Sequence, residues 1–330
     1  MIVVRPHMGV FALYVGLTAS GYSMANAVAG DPVEPLQRAI KIAEWPATIR
    51  NYFAKARTRT GGINPYWPKA EMLLEACFYL EPGRGFRPSD ELNLLRTIAS
   101  FTVSPSEKDS ATVAWVREFP RAYAEITGSE IFPVLWTSYL EMLEPQLRVF
   151  ERAASSALVS LTGVTGVQAE MLPDLFVVPN PLQAKELADF VRRPYTLYVV
   201  VAEPRMSSLV HELLHDVLGP VVRANRAEIV RHRHLLRPSL GAMMRMQYAW
   251  GDDDESWLRV FEESMMRAGA IWLENERRSD EGDRQALIHA QQGFIFVPAL
   301  LRCLRQKWQG PEITAKFISD CLAACARSLA

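Results

Sequence analysis

Two imidazoles and a carboxylate are held close together in His211-Glu212-Leu213-Leu214-His215, a pattern of the form H-E-x-x-H. If the segment is helical, about 100° per residue places His211 and His215 one turn apart on one face with Glu212 beside them. Two neutral imidazoles at that spacing can share one metal ion, and the adjacent carboxylate can act as a general base. The flanking residues fit a helix: Ser207 or Ser208 can cap its start, and Gly219-Pro220 reads as its stop. Val210, Leu213, Leu214 and Val217 form its apolar side, and both histidines lie off the centre of that side.

A catalytic zinc site takes three protein ligands and leaves one position open, so a further donor must come from elsewhere in the chain. Among the downstream histidines, His232 and His234 sit in Arg231-His232-Arg233-His234, where their spacing turns the rings apart and the arginines repel a cation. That stretch reads as a solvated basic turn. Better placed is the helix-like run from Trp257 to Ala268, in which Leu258, Phe261, Met265 and Ala268 form an apolar stripe that continues to Trp272. Glu262 lies at the edge of the stripe and Glu263 on a more polar side, with Arg267 one turn later. Amphipathicity alone turns Glu262 inward, so the two carboxylates compete for the position.

The elements that must position these groups are mostly helical. Helical periodicity runs over residues 32–56, 70–80, 89–101, 109–126 and 130–161, with Pro133 and Pro145 expected to kink or divide the last segment. Near residue 172 the texture changes. Leu175 to Pro179 reads as a strand, Pro181 to Arg193 as a helix opened by proline, and Tyr195 to Val201 as a strand rich in aromatic and β-branched residues. Further helical segments follow at about 220–235, 255–278, 293–308 and 311–328. The expected fold is mainly α with a small β-sheet, an α+β arrangement with a helical N-terminal region over residues 1–170 and the motif-bearing region over 171–330.

Composition narrows the function classes. The 330 residues are 49% hydrophobic and 22% charged with a net charge of -1, which supports a large core and supplies no basic footprint for nucleic acid. The four cysteines (Cys77, Cys303, Cys321 and Cys325) lie on apolar helix-like segments without a C-x-x-C pair, as reduced core residues do. Cys321 and Cys325 are one helical turn apart, a poor spacing for an intrahelical disulfide. An uncharged run from Met8 to Gly30, with Arg5 before it and Ala25-Asn26-Ala27 within it, has features of a signal peptide. Its Gly, Ser, Thr, Asn and Tyr content suits a folded first strand or helix better and makes a spanning helix a poor fit. A cytoplasmic protein without stable membrane insertion is the expectation, with export through that segment as the alternative.

The motif helix, followed downstream by Glu262-Glu263-Ser264-Met265-Met266-Arg267-Ala268, resembles the gluzincin class of zinc metallopeptidases. More narrowly it resembles a bacterial family of metallopeptidases catalogued as a domain of unknown function, whose second helix carries a Glu four residues before an Arg-Ala pair. Glu263 matches that position. The resemblance is strongest over about residues 195–300, takes in Gly293-Phe294-Ile295-Phe296-Val297-Pro298, and reaches weakly into the first twenty residues. It implies a zincin-like core, one Zn2+ per chain held by His211, His215 and Glu263, Glu212 as catalytic base, and a peptide or protein substrate. Glu262 is the runner-up third ligand. Zincin-type hydrolases also place an edge strand just ahead of the motif helix, where an extended peptide can pair with it, and Tyr195 to Val201 is the candidate.

The implied chemistry is hydrolysis: Glu212 takes a proton from a metal-activated water, which attacks a carbonyl, and then hands the proton to the leaving amine. Arg267 and Asp216 are candidates to orient ligands, and His289, Tyr248 and Tyr198 to hold the developing oxyanion. A zinc-binding protein of the same fold without peptidase activity, and an α-rich binding or scaffold protein with a chance motif, are the competing readings.

Overall fold

Neither half of the chain is a contiguous stretch of sequence, because strands from distant segments must meet in one sheet. In the computed structural model, which describes residues 1–22, 30–57, 66–81, 85–100, 110–185, 187–275, 278–308 and 315–329, the chain divides into two compact units. The first comprises Met1–Glu151 and Asp174–Pro204, the second Arg152–Pro173 and Arg205–Ala330.

The first unit opens with β1 (Ile2–Val4), α1 (Met8–Ala19), α2 (Glu34–Ile42), α3 (Ala47–Ala54) and α4 (Trp67–Cys77). It continues through β2 (Leu80–Glu81), β3 (Gly85–Phe86), α5 (Pro88–Ser100), α6 (Ser110–Arg117), α7 (Phe119–Thr127) and residues up to 151 of α8 (Phe132–Thr165). It then takes in β4 (Asp174–Pro179), β5 (Ala188–Arg193) and β6 (Thr196–Val201). α1 is buried from Gly9 to Thr18, which explains why its sequence is apolar all round. His7 caps it, its Nδ1 accepting from the Val10 N–H at 3.2 Å. Residues 2–18 are thus built into this unit; Ala25-Asn26-Ala27 lies outside the described residues.

A four-stranded sheet runs β1-β4-β6-β5, with β1 and β6 parallel to β4 and β5 antiparallel to β6. Two expectations are corrected here. Residues 188–193 form a strand, not the end of a helix: Ala188↔Val201 through Arg193↔Thr196 pair along the whole length of β6, and this ladder outweighs local helical propensity. β6 is consequently an interior strand with its hydrogen bonds taken on both sides, and it cannot add an extended peptide as an edge strand does. Pro145 lies inside α8, which is not divided there, and Pro133 is tolerated in its first turn.

The second unit contains the remainder of α8, then α9 (Met206–Ala224), α10 (Arg226–Arg231), α11 (Leu240–Arg245), α12 (Asp254–Glu274), α13 (Ser279–Gln291), α14 (Val297–Lys307) and α15 (Ala315–Arg327). The described residues make the protein mainly helical with a small sheet, an α+β fold. α12 is the central helix of this unit, packing on α9 along one side and on α14 along another. It is buried over most of its circumference, including Trp257, Phe261, Met265 and Met266, and Trp257 Nε1 donates to the Ile229 carbonyl at 2.8 Å. Close approach of α9 and α12 requires a missing side chain: a Cβ at Gly269 would lie 2.7 Å from Leu214 Cδ1. Among the described residues no helix is long and apolar enough to cross a membrane.

Candidate metal centre

α9 carries His211, Glu212 and His215. The helix begins after Arg205, which has an extended backbone and makes no side-chain cap, so Ser207 and Ser208 lie inside the first turn instead of capping it. Nor does Gly219-Pro220 stop it: α9 continues to Ala224 with Pro220 inside. Gly219 faces α12, where an added Cβ would come within 3.0 Å of Glu262 Oε1. The extra turn carries Arg223 to 3.7 Å from Glu262.

Three of the expected residues converge. His211 Nε2 and His215 Nε2 are 3.3 Å apart, His215 Nε2 is 3.4 Å from Glu263 Oε1, and His211 Nε2 is 3.6 Å from Glu263 Oε2. For metal–ligand distances of about 2.0–2.1 Å, a tetrahedral ion separates neighbouring donors by roughly 3.3–3.4 Å, so the two imidazole nitrogens and the Glu263 carboxylate, whose two oxygens each approach one of them, are spaced closely enough to share one ion. The chemistry of the donors also fits, since imidazole and carboxylate are usual zinc ligands. Glu263 is buried, and its Oε2 has no hydrogen-bond partner, an acceptor left for a cation to satisfy. Among the described residues these three form the one His/Glu group with metal-ligand geometry.

Glu262 takes a different place. Its Oε1 lies 3.3 Å from His215 Nδ1, the ring nitrogen pointing away from that group. A carboxylate there fixes the orientation of the ring and leaves Nε2 to face a metal, the usual outer partner of a metal-binding histidine. The two glutamates thus stand at different nitrogens of His215, Glu263 at Nε2 and Glu262 at Nδ1.

Electrostatics matches this division. Burial raises the Glu263 carboxyl, but the His211 and His215 rings, with Nε2 atoms 3.6 and 3.4 Å from its oxygens, overcome that and hold it well below the usual carboxylate range. Burial lowers His211, keeping it neutral. Burial also opposes protonation of His215, but its hydrogen bonds to Glu262 and Glu263 push it up to about 10. A metal ion at His215 Nε2 would require that nitrogen to be unprotonated, so its binding would release a proton. Glu212 is buried on the same helix, 5% exposed, and its charge contributes to raising His215.

Around Glu263 lies a second group. Arg267, one turn along α12, approaches Glu263 Oε2 at 3.8 Å, donates to the Tyr248 hydroxyl at 3.0 Å, and has Nη1 3.4 Å from His289 Nδ1. Its guanidinium lies over the Phe294 ring, 4.0 Å from the centroid. Burial and the Glu263 charge push Tyr248 up to about 12, and burial with the Arg267 charge lowers His289 to about 4. Both stay neutral near pH 7 and can donate hydrogen bonds. Phe294 is the member that motif reading missed. Gly293, with φ of 116°, delivers it, and a Cβ there would meet Ala242 Cβ at 2.6 Å.

The remaining candidates separate from the centre. Tyr198 belongs to the first unit, where its ring packs against Phe78 and Phe176. His232 lies 3.6 Å from Glu228, and neither it nor the exposed His234 joins the metal-ligand group. No protein-family model, curated protein or solved structure matches the chain.

Proposed function

We propose that the chain is a zinc-dependent metallohydrolase of the gluzincin type, with a zincin-like core around α9 and α12, and that it cleaves peptide bonds in a peptide or protein substrate. The observation that carries this reading is the convergence of His211 Nε2, His215 Nε2 and the Glu263 carboxylate within 3.3–3.6 Å of one another. The H-E-x-x-H spacing and the position of Glu263 before Arg267-Ala268 support it from the sequence side.

In this reading one zinc ion is held by His211, His215 and Glu263, with Glu262 orienting His215 and Arg267 steadying Glu263. When bound, the ion supplies Lewis-acid chemistry, polarising a carbonyl and making water nucleophilic near neutral pH. Glu212 accepts a proton from the attacking water and returns it to the leaving amine nitrogen. Tyr248, with its hydroxyl fixed by Arg267, and His289 are the neutral donors available to a developing oxyanion.

The test is Glu212→Gln, a near-isosteric change that removes the base and spares the ligands. Zinc content should stay at the wild-type level while cleavage of a quenched fluorescent peptide library falls by roughly 10²–10⁴-fold. Undiminished cleavage by Glu212→Gln refutes the base assignment. Zinc bound at full occupancy with no cleavage by the wild type supports instead a zinc-binding protein without peptidase activity.

A further inference from the structure

The cysteines read as reduced core residues, and all four are buried free thiols. Two of them are in contact. Cys303 on α14 and Cys321 on α15 face each other across the contact between these helices, with Cys321 donating to Cys303 at an Sγ–Sγ distance of 3.3 Å. A disulfide has an S–S length of about 2.05 Å, so the sulfurs need approach by only a little over 1 Å. Cys77, in the first unit, instead donates to the Gly9 carbonyl at 3.3 Å.

Cys303 also lines a cavity of about 320 Å³, together with Arg302, Lys307, Asp320 and Arg327. The cavity is open to a small polar oxidant, and three cationic side chains against one carboxylate favour a thiolate at its wall. The Cys321 hydrogen bond, with the Lys307 and Arg327 charges, lowers the Cys303 thiol, whereas the hydrogen bond to Cys303 and burial raise Cys321. The pair has the asymmetry of a dithiol in which one sulfur attacks and the other resolves.

We propose that Cys303 and Cys321 form a peroxide-responsive dithiol that closes into a disulfide joining α14 to α15. The Cys303 thiolate attacks one oxygen of hydrogen peroxide, the O–O bond breaks, and the departing hydroxide takes up the proton lost by Cys303 to leave as water. Cys303 is then a sulfenic acid. The Cys321 sulfur attacks it, the S–O bond breaks, and hydroxide leaves with the Cys321 proton as a second water. Two thiols lose two electrons in total, and one peroxide is reduced to two waters.

The test uses the full reduced chain, exposed to small molar excesses of hydrogen peroxide at which far-UV circular dichroism is unchanged, and then alkylated with N-ethylmaleimide under denaturing conditions. Two of four alkylation sites should disappear, with an intact mass lower by two hydrogens before alkylation. Trypsin should release Cys303-Leu304-Arg305 joined to the peptide Phe317–Arg327. Because that second peptide holds both Cys321 and Cys325, Cys325→Ser is the deciding variant and should keep the crosslink. Cys321→Ser should abolish it and leave a Cys303 sulfenic acid trapped by dimedone. Four alkylatable thiols after treatment, a Cys321–Cys325 bridge, or loss of the crosslink in Cys325→Ser overturns the proposal.

Discussion

Replacing each of two adjacent glutamates by alanine discriminates sharply between their roles. Glu263 faces Nε2 of both histidines, at 3.4 and 3.6 Å, whereas Glu262 meets His215 at Nδ1, 3.3 Å away. The two nitrogens of an imidazole point in divergent directions, so an ion on Nε2 cannot also be reached by the carboxylate bonded to Nδ1. Glu262→Ala removes only the orienting partner, and such losses weaken metal binding by roughly 10–100-fold, about 1.4–2.7 kcal/mol. Glu263→Ala removes one of three donors, leaves two imidazoles, and should weaken binding beyond the upper end of that range. The assay is competition for zinc against a chromogenic chelator at pH 7.5, with circular dichroism establishing that both variants keep their helices. Equal losses within threefold, or a larger loss in Glu262→Ala, refute the assignment of the two carboxylates.

Two further perturbations test the frame. Gly293→Ala places a Cβ at a backbone φ of 116°, 2.6 Å from Ala242 Cβ and 2.7 Å from Met243 Cε, and should destabilise by about 2–4 kcal/mol in urea unfolding; wild-type stability would show that the turn before Phe294 is not held as described. His7 is lowered to about 4 by burial and by Arg5. Its folded value lies below its unfolded value near 6.5, so the stability it contributes is present above pH 6.5 and is lost as pH falls toward 4. The difference in unfolding free energy between wild type and His7→Asn, which keeps a cap acceptor, should shrink or invert by on the order of 1–3 kcal/mol between pH 7 and 4.5; a pH-independent difference would show that His7 does not cap α1 as a neutral ring.

What the sequence made legible was set by local periodicity, and what it concealed was set by packing. His211 and His215 could be paired because a four-residue spacing on a helix is purely local. Glu263 could not be chosen over Glu262 from amphipathicity, because one apolar stripe predicts one buried side, and α12 is buried against both α9 and α14. The carboxylate on the polar side of that wheel is the one that approaches Nε2 of both imidazoles. The two errors in the sheet have different origins. Residues 188–193 read locally as helix, whereas the edge position of Tyr195 to Val201 followed only from the resemblance, and β5 pairs with β6 over six residues. Ile2–Val4 joins the sheet through β4, some 170 positions along the chain, which no local pattern reports. The end of α9 was misplaced for a related reason: Gly219 reads as a stop in isolation but serves close approach to Glu262 in context. In the Arg267 group, Tyr248, Arg267 and His289 were visible only as separate candidates and Phe294 not at all, since the four come from four segments.

Zinc content measures metal binding by α9 and α12 directly. The full chain should be stripped with a chelator, reloaded with limiting zinc, passed through a desalting column and analysed for metal beside His211→Ala and Glu263→Ala. One zinc per wild-type chain and far less than one in either variant is the predicted result. A wild-type chain that leaves the column without zinc, or variants that retain it at the wild-type level, would contradict the site built from His211, His215 and Glu263.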